Sequence, residues 1–468
     1  MNAMRLPLDP STSQMREMGE ATLTYLIDFI RGLDAAPAEA TEGALDLARR
    51  LRGAPEEDGR SFDQLFTEVQ DAVARTFEYS GPGYLAYIPG GGLFTAALAE
   101  FIAQGVNRYA GLWGPSPAVV QLEENVTRWL CDLFELPAGS QGILTSGGSM
   151  ANFSAVVTAR HTKLGPDFLD GIYYVSAQTH ASVTKAASLA GFSERNLRIV
   201  PTDAELRMDP DALAQLIDED RRAGLRPFLV VASAGTTNTG AVDPIDTVAD
   251  IAAEQGLWLH VDGAYGGFFQ LTERGRERFA GVTRADSITL DPHKGLFLPY
   301  GTGALVVRDG AALRDAHFEG AAYLQDLAPE GELPNYSEYS PELSRDWRGL
   351  RVWMPLVLHG VGAFREALDE KLDLTLRLHE GLAQEPLLEL PWDPQLTVVA
   401  FRLAGADQAA NVRLLRTIND SKRVFLSSTL VQDRYLIRAC IVSHRTHADR
   451  IDECIEIVRK AAAEVAAG

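Results

Sequence analysis

Cysteine is scarce. The 468 residues contain three, Cys131, Cys440 and Cys454. Thiols so few and so scattered build neither a disulfide framework nor a thiolate zinc site, and a reducing, cytoplasmic setting is expected. Basic residues are the minority charge: 43 Lys and Arg stand against 64 Asp and Glu, a formal net charge of −21. That excess repels phosphate backbones and anionic membrane surfaces, so nucleic acid is not expected as a partner. No uninterrupted apolar stretch reaches about 18 residues. The opening MNAMRLPLDPSTSQMREMGE has no apolar run behind its basic residue, so neither secretion nor a membrane span is expected. Metal-ligand spacing is also missing, since HVD before Gly263 and SHRTHAD around His444 and His447 are too sparse to define a site.

What is present is an ordinary globular composition, 46% hydrophobic and 23% charged, in a chain long enough for two or three units at roughly 150 residues each. Tyr25, Leu26 and Phe29 follow Met18 at helical spacing, with Asp9, Pro10 and Ser11 as a start signal, which predicts an amphipathic first helix. A second helix fits Ser61 to Glu78. Beyond residue 80 the glycines become dense, and short apolar runs alternate with helical patterns: GIYYV at 171–175, PFLVVAS at 227–233, LWLHVD at 257–262, DSITLD at 286–291 and GALVV at 303–307. This alternation predicts an α/β protein with a mostly parallel sheet between helices. After Tyr339 a helical segment around Arg348 to Arg365 leads to the strands TVVAFRL and YLIRACIV and a last helix, a smaller α+β unit.

Three clusters carry chemistry. In TSGGSMAN, Gly147, Gly148 and Ser149 precede a strong helix, and free N–H groups at a helix start favour an anion. In LWLHVDGAYGG, Asp262 ends a strand, where a parallel sheet opens its ligand crevice; it either caps the next turn or pairs with a protonated ring nitrogen or a metal. In DSITLDPHKG, Lys294 follows an apolar strand directly. A lysine in apolar surroundings has a lowered pKa and becomes an amine nucleophile for an aldehyde. Phosphate cradle, acid and lysine together fit pyridoxal phosphate.

In this order and spacing the clusters resemble the group II pyridoxal-phosphate-dependent amino acid decarboxylases, the family of the aromatic-L-amino-acid and glutamate decarboxylases. SAQTHASV at 176–183 and AGTTNTGAVDPI at 234–245 extend the match over nearly the whole chain. The resemblance implies a type I pyridoxal-phosphate (aspartate aminotransferase-like) fold, with an N-terminal helical dimerisation segment (1–85), a large cofactor domain (86–345) and a small C-terminal domain (346–468). It implies that Lys294 forms the internal aldimine and that the reaction passes through an external aldimine and a quinonoid. Asp262 then keeps the pyridine nitrogen protonated, His180 stacks on the ring near the departing carboxylate, and Ala264 packs on the opposite face. Gly148, Ser149, Thr237 and His293 match cofactor-binding positions. Asp291 stands where many animal relatives have Asn close to the phosphate, so it requires a proton, a neighbouring base or another orientation.

The family's proton donor is a tyrosine on a mobile loop, and Tyr336 is assigned that role, with Tyr339 as competitor and the Ser-, Pro-, Gly- and Asn-rich stretch 327–341 as the loop. The substrate pocket is assigned to Tyr87, Ile88, Pro89, Tyr109, Leu112 and Trp113, partly across a homodimer interface with shared active sites. Its aromatic and aliphatic walls suit an aromatic amino acid. Arg108, aimed inward, would instead select an acidic side chain such as that of glutamate or cysteine sulfinate; otherwise it forms a surface or interface ion pair. Gly90 and Gly111 replace bulkier residues and suggest a wider pocket floor. The expected products are an amine and carbon dioxide. Oxidative deamination to an aldehyde is the alternative outcome on the same cofactor, and a weakly active cofactor-binding paralogue with a regulatory role is the alternative from another class.

Overall fold

The computed structural model describes residues 6–320 and 333–467. Its centre is a seven-stranded sheet built from β1 (Gln141–Thr145), β2 (Gly171–Ser176), β3 (Leu197–Val200), β4 (Arg226–Ser233), β5 (Trp258–Gly263), β6 (Ser287–Leu290) and β7 (Gly303–Val307). The spatial order is β1-β7-β6-β5-β4-β2-β3. Strands β3, β2, β4, β5 and β6 run parallel, while β7 is antiparallel to both β6 and β1. Each apolar run named from the sequence lies in this sheet, shifted by at most a residue or so at its ends.

The central strands are apolar throughout because both faces are covered. In β4, Val230 and Ala232 join one core with Leu259, Val261 and Phe268, whereas Leu229 and Val231 join the opposite core with Val175, Trp258 and Val183. This period of two sends alternate side chains into two separate helical layers.

A second sheet, β8 (Leu388–Glu389), β9 (Val398–Leu403), β10 (Ser427–Val431) and β11 (Arg434–Cys440), is antiparallel in the order β10-β11-β9-β8. The helix Gly349–Ala383 serves both units. Phe364, Leu368 and Leu372 enter the core of the large sheet, and Leu374, Leu378 and Leu382 enter that of the small one. It is longer than the sequence suggested and is interrupted at Gly360, whose φ of 75° is a conformation glycine adopts without steric cost.

The first helix is Thr12–Gly32, capped by Ser11, whose own N–H donates to Gln14 Oε1 at 2.9 Å. The next expected helix is shorter than predicted, Phe62–Val73. Its predicted last turn is diverted because Phe77 bridges to Glu39 and stacks on Phe425 at 4.5 Å between ring centroids. Neither of these two helices buries a single residue within the chain. Among the described residues no helix is long and apolar enough to cross a membrane.

Candidate active site

Parallel strands place their C-terminal ends along one edge, and that edge holds the chemistry. A cavity of about 270 Å³ opens there, lined by Gly148, Ser149, His180, Ala264, Asp291, His293 and Lys294 together with Ser146, Gly147, Met150 and Ser182. A narrower extension reaches Asp262, Thr237, Thr236 and Tyr265. All ten residues assigned from the sequence to catalysis or cofactor binding, apart from Tyr336, therefore converge on one place.

The helix Gly148–Leu164 starts at this cavity, and its first turn leaves N–H groups without intrahelical acceptors. A Cβ at Gly148 would lie 3.0 Å from both the Ala264 Cβ and Asp291 Oδ2, so the absent side chain is what keeps the cradle open. On the floor, Asp262 is nearly buried, and each of its oxygens accepts a hydrogen bond: Oδ1 from the Ala264 N–H at 3.1 Å and Oδ2 from Asn152 Nδ2 at 3.1 Å. Lys294 does not sit in the apolar sleeve expected for it. Its Nζ lies 2.8 Å from Asp291 Oδ2, and His293 Nε2 lies 3.6 Å from the same oxygen. Asp291 thus has the neighbouring base that its position demanded. Its Oδ1 is buried with no hydrogen-bond partner among the described residues. His293 donates from Nδ1 to the Thr302 carbonyl at 2.6 Å, and burial holds its imidazole below the ordinary range. An amine, a carboxylate at ring depth and an anion-binding helix start are the three partners that pyridoxal phosphate requires.

Tyr336 is the clear correction. It is wholly buried at the start of the short turn Tyr336–Glu338, away from the cavity. Its hydroxyl donates to Glu124 Oε2 at 2.9 Å, Thr127 Oγ1 lies 3.1 Å from it, and the Arg345 guanidinium packs 4.8 Å from its ring. Burial and the nearby Glu123 and Glu124 push the phenol well above its usual range. The expected position on an open loop is thus not where the structure puts Tyr336: its hydroxyl is held by Glu124 and Thr127, and it does not line the Lys294 cavity within one chain. The supposed loop divides. Residues 327–332 lie outside the described residues, whereas 333–341 are packed, with Asn335 Oδ1 accepting from the Trp113 N–H at 3.2 Å and the Ser337 N–H donating to the Gly111 carbonyl at 3.0 Å. Tyr339 is partly buried against the same core as Tyr336.

The six residues assigned to the substrate pocket do not line the Lys294 cavity within one chain. Ile88 and Leu112 are core residues, Pro89 is buried, Trp113 packs beside Tyr336, and the Tyr109 hydroxyl donates to the Leu343 carbonyl at 2.9 Å. Tyr87 is 59% exposed. Gly90 and Gly111 leave no wider floor, because Tyr300 and the His293 carbonyl fill the space beside the first and Tyr109 that beside the second. Arg108 is exposed and lies outside the cavity lining.

Sequence reasoning missed Asn152, Ser182, His260 and Arg438. Asn152 stood in the quoted TSGGSMAN, four residues after Gly148 and so on its helical face. Arg438 is a charge in the apolar middle of β11, four residues after the arginine that opens the strand. It is buried, donates to the Thr237 carbonyl at 2.7 Å and the Asn238 carbonyl at 3.2 Å, and has no ion-pair partner among the described residues.

Comparison with known proteins agrees with this geometry. The family model described as "Pyridoxal-dependent decarboxylase conserved domain" matches residues 46–404. An aromatic-L-amino-acid decarboxylase of Bacillus atrophaeus is 33% identical, covering 98% of this chain and 97% of its own. A crystal structure of Oryza sativa TDC with PLP and tryptamine superposes with a TM-score of 0.92 at 26% identity, over 98% of this chain and 99% of that one. A Rhodiola rosea 4-hydroxyphenylacetaldehyde synthase gives 0.89 at 25% identity, over 97% and 99%. With that cavity and this extent of match, the chain belongs to the pyridoxal-dependent decarboxylase family and uses pyridoxal phosphate.

Proposed function

We propose that this enzyme decarboxylates an aromatic L-amino acid to the amine and carbon dioxide, and that two copies of the chain complete each substrate pocket. The observation that carries the reading is the convergence of Lys294, Asp262, His180 and the Gly148 helix start on one cavity. Bound there, pyridoxal phosphate supplies an electron sink for the pair released as the α-carboxylate leaves. The helix start and Ser149 would hold its phosphate, Asp262 would keep a proton at its ring nitrogen, and Lys294 would present its amine to its aldehyde. His180, on the cavity rim, and Ala264 would hold the ring between them. Arg438 braces the Thr237 turn, and its uncompensated charge favours a carboxylate at that edge.

The aromatic assignment rests on the character of the similar Bacillus atrophaeus and Oryza sativa proteins and on Tyr87, Tyr109 and Trp113. Gly90, three residues after Tyr87, abuts the His293 carbonyl, so this segment borders the site. Leu23, Leu26 and Ile27 on the first helix, Leu65 and Val69 on the second and Phe101 on Phe94–Val106 are exposed within one chain. Apolar faces of that extent mark an interface, and a second copy of the chain is the proposed cover. Cytoplasmic placement follows from the same reading of scarce, free cysteines.

Aldehyde formation is the second reading, favoured by the likeness to the Rhodiola rosea synthase. The likeness to the Bacillus atrophaeus and Oryza sativa proteins keeps simple decarboxylation as the first reading. The test is a panel of L-amino acids assayed for amine, carbon dioxide, ammonia and peroxide. Amine and carbon dioxide from aromatic substrates, with the visible cofactor band lost in Lys294→Ala, support the proposal. Stoichiometric ammonia and peroxide would replace it by the second reading, and turnover of glutamate or cysteine sulfinate alone would overturn the substrate class.

A further inference from the structure

Behind the cavity lies a buried hydrogen-bonded chain whose direction can be read bond by bond. Trp258 Nε1 donates to Ser287 Oγ at 2.8 Å, and Ser287 Oγ lies 2.8 Å from His260 Nδ1. His260 Nε2 lies 2.9 Å from Asn152 Oδ1. Asn152 Nδ2 donates both to Asp262 Oδ2 at 3.1 Å and to Ser182 Oγ at 2.9 Å, and Ser182 Oγ lies 2.8 Å from His180 Nδ1.

The two ends fix every proton between them. The carboxylate of Asp262 only accepts, so the amide must turn its NH2 towards it and its oxygen towards His260. His260 therefore carries its proton on Nε2. Burial holds that imidazole below its ordinary range, so Nδ1 is a lone pair and accepts from the Ser287 hydroxyl, which in turn accepts from the indole. At the other end Ser182 Oγ accepts from Asn152 and gives its proton to His180 Nδ1, which also accepts the Ser182 N–H at 3.2 Å. The free proton of neutral His180 is left on Nε2, the nitrogen not tied to Ser182.

We propose that Asn152 is a positioning residue that couples the two sides of the cofactor site, orienting the Asp262 carboxylate with one N–H and, through Ser182, setting the tautomer of His180 with the other. The inference rests on the roles proposed above for Asp262 and His180. An aliphatic side chain of the same size would fill the space, but it would leave His260 Nε2–H with only the more distant Thr289 Oγ1, at 3.4 Å, and both functional residues without their shared donor. A single buried carboxamide, 1% exposed and bonded on every side, is otherwise an expensive choice for a helix face packed against a sheet.

The test compares Asn152→Leu and Ser182→Ala in the cofactor-loaded protein by steady-state kinetics and by pH titration of the visible band. The titratable groups lining the cavity and its extension beside Asp262 are His180, Tyr265, Asp291, His293 and Lys294, with His260 behind it. Asn152→Leu is expected to lower kcat by about 10- to 100-fold, the worth of a hydrogen bond to a charged group, with KM changed far less. It should also move the midpoint of the band titration and weaken pyridoxal phosphate binding. Ser182→Ala should lower kcat and leave the band midpoint in place, since it touches only the His180 branch. If Asn152→Leu does not fold, Asn152→Ala removes the same donor without overfilling the site or adding a charge, and the same band shift is expected. An unmoved midpoint in the Asn152 variant, or a midpoint that moves equally in Ser182→Ala, would overturn the coupling. Asp262→Asn separates the two levels, because an unmoved midpoint there would overturn the role of Asp262 itself.

Discussion

Lys294 Nζ and Asp291 Oδ2 form an ion pair of 2.8 Å across one turn of the short helix Pro292–Gly295. The acid that departs from the Asn of many relatives is thus the direct partner of the lysine. The same oxygen also borders the space over Gly148 where the phosphate would lie. Asp291→Asn removes a negative charge from that cradle without changing its shape. It should tighten pyridoxal phosphate binding by about 3- to 10-fold, on the order of 1 kcal/mol at partly screened distances. Equilibrium titration of the cofactor-free protein measures this, and weaker binding would show that the ion pair matters more than the repulsion.

Tyr336→Phe separates structure from chemistry. Removing the hydroxyl leaves Glu124 and Thr127 short of a partner, which should cost about 1–3 kcal/mol of stability while kcat of the loaded enzyme stays within about twofold. Denaturant midpoints and steady-state assays check both. Tyr323 is the remaining tyrosine between His317 and Gly349 and lies outside the described residues. Tyr323→Phe is the variant expected to lose turnover while keeping the cofactor band.

Histidines held neutral within the fold predict acid sensitivity. Burial holds His260 below the ordinary range and His444 down to about 3. At pH above about 6.5 both are neutral folded or unfolded, and their full contribution is present. As pH falls through 6.5 the unfolded chain takes up protons that the folded one refuses, so stability drops by about 1.4 kcal/mol per pH unit for each histidine. Urea midpoints from pH 7.5 to 5 should decline, and His444→Gln should flatten the decline by one histidine's share.

The exposed N-terminal face predicts the assembly. Phe101 is 73% exposed within one chain, and burying such a ring contributes about 1.5–3 kcal/mol. Phe101→Glu should therefore weaken the dimer by 100-fold or more, that being about 3 kcal/mol, and lower turnover with it. Light scattering across a dilution series, run beside the activity assay, measures both. A monomeric wild type with full activity would overturn the shared pocket.

Sequence alone determined what depends on local pattern. Apolar runs bounded by turns located five strands of the large sheet, β2 and β4 to β7, but not β1 or β3. The glycines before Ser149, the acid ending β5 and the lysine after β6 announced the cavity, because strand ends of a parallel sheet meet on one edge whatever the intervening helices do. Tertiary structure alone decided what depends on partners distant in the chain. Tyr336 reads as a loop residue until Glu124 and Thr127, more than 200 positions earlier, claim its hydroxyl. Asn152 reads as one more polar residue in a glycine-rich motif until His260, Ser182 and Asp262 surround it. A side chain's role follows from the few ångströms of space around its last atom, and no periodicity in the sequence encodes which segment folds back to fill that space.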